Sequence, residues 1–207
     1  MYDFKHITLG YAPTRRFDFP DPKLAYQNSL KIRKRIDEIL EKIGGVRLVD
    51  LSFLNEEGLL YQDKDVPAVA KRFQEEGVDA IFMPHANFGC EEVVASLGRA
   101  MRQHPILIWG PRDEAPPGGY CFRQTDTQCG LFASTMALLR QNIPFSYIEN
   151  CWLDSPILEE ELDRFIRVVS VVKAFRSMKI GLVGQRPKPF LSVIIDEGEL
   201  VNKFGIN

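Results

Sequence analysis

The sequence has 207 residues, enough for one domain or for one domain and the beginning of a second. Its formal net charge of −2 argues against a nucleic acid or an anionic membrane as partner, and no apolar run approaches the roughly 20 residues of a membrane span. No apolar signal segment precedes the first predicted strand, and the 4 cysteines lack paired spacing, so we expect reduced thiols and a cytoplasmic protein.

Short apolar strands alternate with amphipathic helices along the whole chain. The strands are predicted at residues 6–11, 46–51, 80–83, 105–109, 145–148 and 180–183. The helices are predicted at residues 24–43, 66–76, 90–102, 127–141, 155–178 and 196–204. This order predicts a doubly wound parallel sheet with helices on both faces, a flavodoxin-like or Rossmann-like three-layer α/β/α domain.

The end of the chain suggests a second unit. We expect residues 1–178 to form the N-terminal α/β domain, and residues 179–207 to be its last strand and the start of a truncated second domain. The helix at 196–204 has an apolar stripe of Leu200, Val201 and Phe204, yet no later segment follows for it to pack on. The sequence therefore predicts the front part of a longer protein.

Ligands of doubly wound sheets bind at the carboxyl ends of the strands, near the switch point of the strand order. For the order 2-1-3-4-5 this point lies between the first and third strands. The loops that meet there are residues 12–19 and 85–91, with the long Pro/Gly-rich loop 110–123 alongside.

The loop after the first strand contains two adjacent arginines, Arg15 and Arg16. It has neither a GxGxxG nor a GxxxxGK[ST] sequence, so it does not predict a dinucleotide site or a P-loop. A guanidinium group offers a fork of donors that suits a carboxylate, a phosphate or adjacent hydroxyls. The alternative is a solvated pair, or one that forms salt bridges near Asp18 and Asp21.

The loop after the third strand offers His85, Asn87 and Glu91 to a polar ligand at the start of a helix. A catalytic pair of Cys90 and His85 is conceivable, although no oxyanion motif accompanies it. The alternative is a Pro/Asn/Gly turn that only caps the helix.

Other candidates are weaker. Arg112, Asp113 and Glu114 are candidates for the rim of the site, with a charged, solvated turn as the alternative. Thr125 or Asp126 is as suitable for a helix cap as for a ligand contact. The 3 histidines stand on separate elements without HxH or HExxH spacing. The acids at 196–199 lie in a helix's first turn, where acids are expected anyway. We therefore expect no catalytic residue and no metal ligand in this chain.

Four segments resemble the N-terminal part of the L-fucose/L-arabinose isomerase-like family. They are residues 14–16, residues 87–91, residues 108–120 with Trp109-Gly110 and Gly118-Gly119-Tyr120, and residues 177–184. The tail, with Arg186-Pro187-Lys188-Pro189-Phe190, is similar to the entry to the family's second domain. The segments keep the same order over nearly the whole chain.

This resemblance implies an enzyme that interconverts aldoses and ketoses with Mn²⁺ held by acidic residues and a histidine of later domains. It also implies a homo-oligomer, a trimer or hexamer, in which this domain closes a neighbour's active site. On this view the chain alone is an inactive substrate-recognition and assembly domain. Arg15, Arg16, His85, Asn87, Phe88 and Glu91 would face the sugar, with Arg16 bound to its hydroxyls and Phe88 stacked on its apolar face.

One position departs from the pattern of the family. Fucose isomerases have a tryptophan in the loop after the third strand, where this chain has Ala86 and Asn87, so the resemblance leaves the sugar open. The alternating α/β pattern fits equally well a non-catalytic sugar-binding or sensor module. A flavodoxin-like oxidoreductase would need a phosphate-binding loop after the first strand, which is missing.

Overall fold

The structure is a computed structural model that describes residues 6–18, 21–113, 124–181, 183–184, 186–193 and 195–206. The strands are β1 (Ile7–Tyr11), β2 (Val46–Val49), β3 (Ala80–Pro84), β4 (Ile106–Trp109) and β5 (Ser146–Tyr147). The helices are α1 (Pro22–Ile43), α2 (Val66–Glu75), α3 (Glu91–Ala100), α4 (Thr127–Arg140), α5 (Pro156–Arg176) and α6 (Glu197–Phe204). Short 3₁₀ turns lie at Asp63–Asp65 and Leu191–Val193.

The five strands form one parallel sheet in the order β2-β1-β3-β4-β5. Side chains of α1 and α5 cover one face, where Ile36 and Phe165 pack with Leu9. Side chains of α2, α3 and α4 cover the other, where Phe73 and Val93 pack with Ile81. The predicted three-layer α/β/α class is confirmed, and the switch point lies between β1 and β3.

Local signals explain where the long helices begin and end. The Asp21 carboxylate accepts a hydrogen bond from the Lys23 amide at 2.9 Å, and Pro22 starts α1 with a compatible backbone angle. The Ser155 hydroxyl accepts from the Ile157 amide at 3.3 Å at the start of α5. Gly44 ends α1 with a φ of 73°, which a residue without a Cβ adopts readily.

Two expectations for the end of the chain differ from the structure. The predicted strand at 180–183 is absent from the described sheet, and residues 180, 181 and 183 have no strand conformation. Helix α6 forms as predicted, but it has a packing partner. The rings of Phe204 and Phe175 meet edge to face with centroids 5.6 Å apart, and Ile206 is buried, so α6 packs on the end of α5.

Candidate functional site

The loops that follow β1 and β3 are joined at the switch point by Thr14. The Thr14 amide donates to the carbonyl of Pro84 at 2.9 Å, and its own carbonyl accepts from the Ala86 amide at 2.9 Å. Its hydroxyl accepts from the Cys90 amide at 3.2 Å. The threonine thus extends the sheet beyond the strands and sets the position of the neighbouring arginines.

Arg16, Phe88 and Glu91 form a contact cluster above this junction. A guanidinium nitrogen of Arg16 lies 2.5 Å from the Glu91 carboxylate, and its central carbon lies 4.5 Å from the centre of the Phe88 ring. The side chains of Arg16 and Glu91 are 32% and 36% exposed, so a ligand can reach both. We call these three residues the switch-point cluster.

Asn87 holds the two loops together. It is buried, and its side-chain oxygen accepts from the Arg16 amide at 2.8 Å and from the Gly89 amide at 3.0 Å. Because this oxygen already accepts two backbone hydrogen bonds, Asn87 fixes the position of Arg16. The structure gives it a positioning role within the set of predicted sugar-facing residues.

His85 lies beneath the loop and not on its surface. Its Nδ1 is 2.9 Å from the Phe88 carbonyl oxygen, which can only accept, so Nδ1 donates and the proton sits there in the neutral ring. Burial lowers the pKa of His85 to about 4, so the imidazole is neutral near pH 7. Its Nε2 has no hydrogen-bond partner among the described residues, so the conceivable pair with Cys90 is not formed.

Gly89 allows the loop to close over this histidine. A Cβ at residue 89 would lie 2.3 Å from His85 Nδ1, and the residue has a φ of 78°, in the left-handed region that favours glycine. Helix α4 also approaches the same loop, since a Cβ at Gly130 would lie 1.5 Å from the carbonyl oxygen of Phe88. Glycine at residues 89 and 130 therefore allows the loop that presents Phe88 to lie against His85 and helix α4.

Arg15 has a different role from its neighbour. It is buried, its Nε lies 2.7 Å from a Glu57 carboxylate oxygen, and its guanidinium stacks 3.6 Å from the centre of the Tyr61 ring. The same side chain donates to the carbonyls of Arg16 and Phe17 at 3.1 and 2.8 Å. Arg15 is thus an internal support for the loop, and its ion-pair partner is Glu57 rather than Asp18 or Asp21.

Thr14 belongs to the family-like segment 14–16, whereas Glu57 and Tyr61 stand in no motif of the sequence. Thr14 stands next to the arginines and is a reasonable candidate on position alone. Glu57 and Tyr61 lie in the loop after β2, where no local pattern distinguishes them from a solvated turn.

The predicted rim is only partly described. The Asp113 carboxylate accepts from the amides of Thr125 and Asp126 at 3.0 and 2.8 Å, which ties the loop to the start of α4. Asp126 stands at the N-cap of α4 without a side-chain capping bond, and Arg112 lies over Trp152. Glu114 lies outside the described residues, together with the rest of 114–123.

The described residues do not fit a metal centre. They contain no group of three or more histidine, cysteine, aspartate or glutamate side chains that could share an ion. Within the same ranges, no helix is both long and apolar enough to cross a membrane.

The sequence matches a known protein family over most of its length. Residues 10–176 match the family described as fucose/sulfoquinovose isomerase, N-terminal domain. The chain belongs to this family. The predicted resemblance to fucose-isomerase-related sugar isomerases is thereby confirmed.

Similar curated proteins are named sulfoquinovose isomerase. Those of Priestia aryabhattai and Priestia megaterium are each 26% identical to this chain over 129 residues, which is 62% of the chain and 28% of the relative. That of Alkalicoccus urumqiensis is 30% identical over 101 residues, which is 49% of the chain and 22% of the relative. The chain thus spans under a third of the length of the relatives it matches.

Proposed function

We propose that this chain is the substrate-recognition and assembly domain of a metal-dependent sugar isomerase that interconverts an aldose and a ketose. Membership of the family and the names of the relatives support isomerase activity in the whole protein. The assembly we propose is a homo-oligomer, a trimer or hexamer, in which this domain completes a neighbour's active site.

The observation that carries the proposal is the switch-point cluster. Arg16 supplies donors and Glu91 supplies acceptors within one ion pair, so together they can bind adjacent hydroxyls of a sugar. The Phe88 ring beside them offers an apolar face to the C–H groups of the same ring. All three stand where the carboxyl ends of β1 and β3 meet, the usual ligand position in this fold.

The domain contributes binding rather than proton transfer. Isomerisation through an enediol needs a base and an acid at the reacting carbons, and a metal ion to stabilise the developing oxyanion. The only histidine near the cluster, among described residues, is His85, which is buried and donates its Nδ1 proton to Phe88. We therefore propose that the chain alone is inactive, and that Mn²⁺ is held by residues outside those described.

A cytoplasmic location belongs to the same proposal. Cys90 and Cys151 are buried thiols that take part in no disulfide, as is usual in a reducing compartment.

The test is the Arg16→Gln variant in the whole protein, assayed with Mn²⁺ on L-fucose and on sulfoquinovose. Loss of a charge-assisted contact should lower kcat/KM about 10- to 100-fold, mostly through KM. Arg102→Gln, an exposed residue beyond α3, is the matched control and should retain activity. The whole protein should lose turnover in EDTA and recover it with Mn²⁺.

Two results would contradict the proposal. An unchanged kcat/KM in Arg16→Gln would remove the recognition role of the cluster. Saturable sugar binding by the whole protein without any turnover would instead support the non-catalytic sensor module.

A further inference from the structure

A second polar cleft is separate from the switch-point cluster, because none of the cluster's three residues lines it. It has a volume of about 240 Å³ and opens between α1 and the loop that follows β2. This volume is just below the range of about 300–1,000 Å³ for pockets that hold drug-sized ligands, so the cleft suits a smaller molecule. Its polar lining includes Tyr11, Arg33, Asp50, Ser52, Glu56 and Glu57.

Tyr11 gives the cleft a feature that points to a ligand. The residue is 2% exposed, and its hydroxyl has no hydrogen-bond partner among the described residues. Burial raises the pKa of this hydroxyl, and the charges of Arg33 and Asp50, which also line the cleft, act on it. A buried hydroxyl without a partner costs free energy, and a ligand hydroxyl that enters the cleft as far as the Tyr11 hydroxyl would remove that cost.

The charges of the cleft indicate the class of the ligand. Arg33 donates to the Asp50 carboxylate at 2.9 Å and also to that of Asp37 at 2.8 Å, while Glu57 is paired with Arg15. Asp50 and Glu57 thus each have a guanidinium partner, although Asp50 shares its partner with Asp37. With Glu56 added, the wall is mildly negative and unsuited to an anion. Paired ions present donors and acceptors side by side, which matches a hydroxyl group because a hydroxyl both donates and accepts.

The lip of the cleft adds an apolar surface. Tyr26 and Leu30 project from α1 and are 36% and 54% exposed. Such a surface can contact the C–H groups of a molecule whose hydroxyls point inward.

We propose that this cleft is a second binding site, separate from the switch-point cluster, for a small uncharged polyhydroxy compound. The ligand's hydroxyls bind Tyr11 and the Arg33–Asp50 pair, and its carbon face contacts Tyr26. The site is also connected to the loop of Arg16, because Glu57 holds Arg15 and Arg15 binds the carbonyls of Arg16 and Phe17.

The test is a titration of the ¹⁵N-labelled 207-residue protein with ribitol, galactitol and myo-inositol, followed by amide chemical shifts. At least one of these should shift the Ser52 and Gly58 amides in a saturable way. Tyr11→Phe should weaken that binding about three- to tenfold without lowering the thermal midpoint, since the hydroxyl it removes has no partner. Arg16→Gln is the control and should bind the same compound with unchanged affinity at the cleft.

Three outcomes would overturn the proposal. The first is no saturable shift at Ser52 and Gly58 with any of the three compounds. The second is equal affinity in Tyr11→Phe and the unmodified protein. The third is saturable binding of spermidine or sulfate at these amides in place of the polyols. None depends on isomerase activity, so the result is independent of the proposed function.

Discussion

His85 makes the stability of the protein depend on pH. In the folded protein its pKa is about 4, against 6.5 for an unperturbed histidine, because burial disfavours the charged ring. Between these values the unfolded chain binds a proton that the folded protein does not. The stability associated with neutral His85 is therefore fully present above pH 6.5 and is lost as the pH falls towards 4.

We expect the free energy of unfolding to fall by about 3 kcal/mol from this residue alone over that range. Urea unfolding of the protein and of His85→Gln at a series of pH values measures the effect, and the variant should have a shallower slope. His104→Gln is a comparison, since burial also lowers the pKa of this half-buried histidine. Equal slopes for His85→Gln and the unmodified protein would contradict the argument, whatever the absolute stability of the variant.

At the same scale, residue type predicts which side chains face a sugar, and that role stays a prediction. Arg16, Phe88 and Glu91 belong to this set and lie in contact. Arg15 and Asn87 belong to it too, but each forms internal bonds that support the loop. The partners responsible are distant in the chain: Glu57 is 42 residues from Arg15, and Asn87 is 71 residues from Arg16. Sequence patterns describe local periodicity, so they cannot show which of two adjacent arginines turns inward.

At the scale of elements, helix α4 controls the loop that presents Phe88. Gly130 lies so close to the carbonyl oxygen of Phe88 that an added Cβ would stand 1.5 Å from it. The clash cannot be relieved by rotating a side chain, because the atom that the new Cβ would meet belongs to the backbone of Phe88. The helix and the loop would have to separate.

We expect Gly130→Ala to lower the free energy of unfolding by about 1–3 kcal/mol, despite the better helix propensity of alanine. Gly98→Ala in α3 is the matched control, because its Cβ would meet side-chain ends and no backbone: Leu138 Cδ2 at 2.7 Å, with Ile106 and Ile143 at 3.5 Å. Urea unfolding of both variants gives the comparison. Equal stabilities would show that the contact at residue 130 is relieved without cost.

The strands and helices also show how much of the secondary structure the hydrophobic periodicity of the sequence predicts. The five described strands and six helices occur where the pattern predicts them, with boundaries shifted by a few residues. The predicted strand at 180–183 does not join the described sheet. Its apolar composition resembles that of a buried strand. Whether such a segment forms a strand depends on whether it can pair with an edge strand of the sheet, which is a property of the assembled fold.

At the scale of the whole molecule, the tail is attached to the domain through α6. The Phe175–Phe204 contact and buried Ile206 are its apolar links to the end of α5. We retain the proposal that residues 1–178 are an N-terminal domain and that residues 179–207 begin a second unit.

On this proposal a chain ending at residue 178 should still fold. It should unfold cooperatively. Its free energy of unfolding should be about 2–4 kcal/mol below that of the full chain, because the Phe175–Phe204 pair and buried Ile206 are lost. Circular dichroism in a urea series measures both properties. The matched control is Phe204→Ala in the full chain, which should lose part of the same amount. A broad, non-cooperative transition in the shortened chain would contradict the domain boundary.

The sequence by itself determined the α/β class, the strand and helix order, the likeness to sugar isomerases and the residue types at the switch point. These follow from short-range periodicity, capping residues and motifs, all of which are local in the chain. Only the tertiary structure decided that Arg16 pairs with Glu91 while Arg15 turns to Glu57, and that His85 is buried and neutral. It also decided that Tyr11 lines a second cleft and that its buried hydroxyl has no partner among the described residues. The physical reason is that a parallel sheet brings together residues 42 to 75 positions apart in the chain, and the pairing of their charges depends on distances that no local pattern contains.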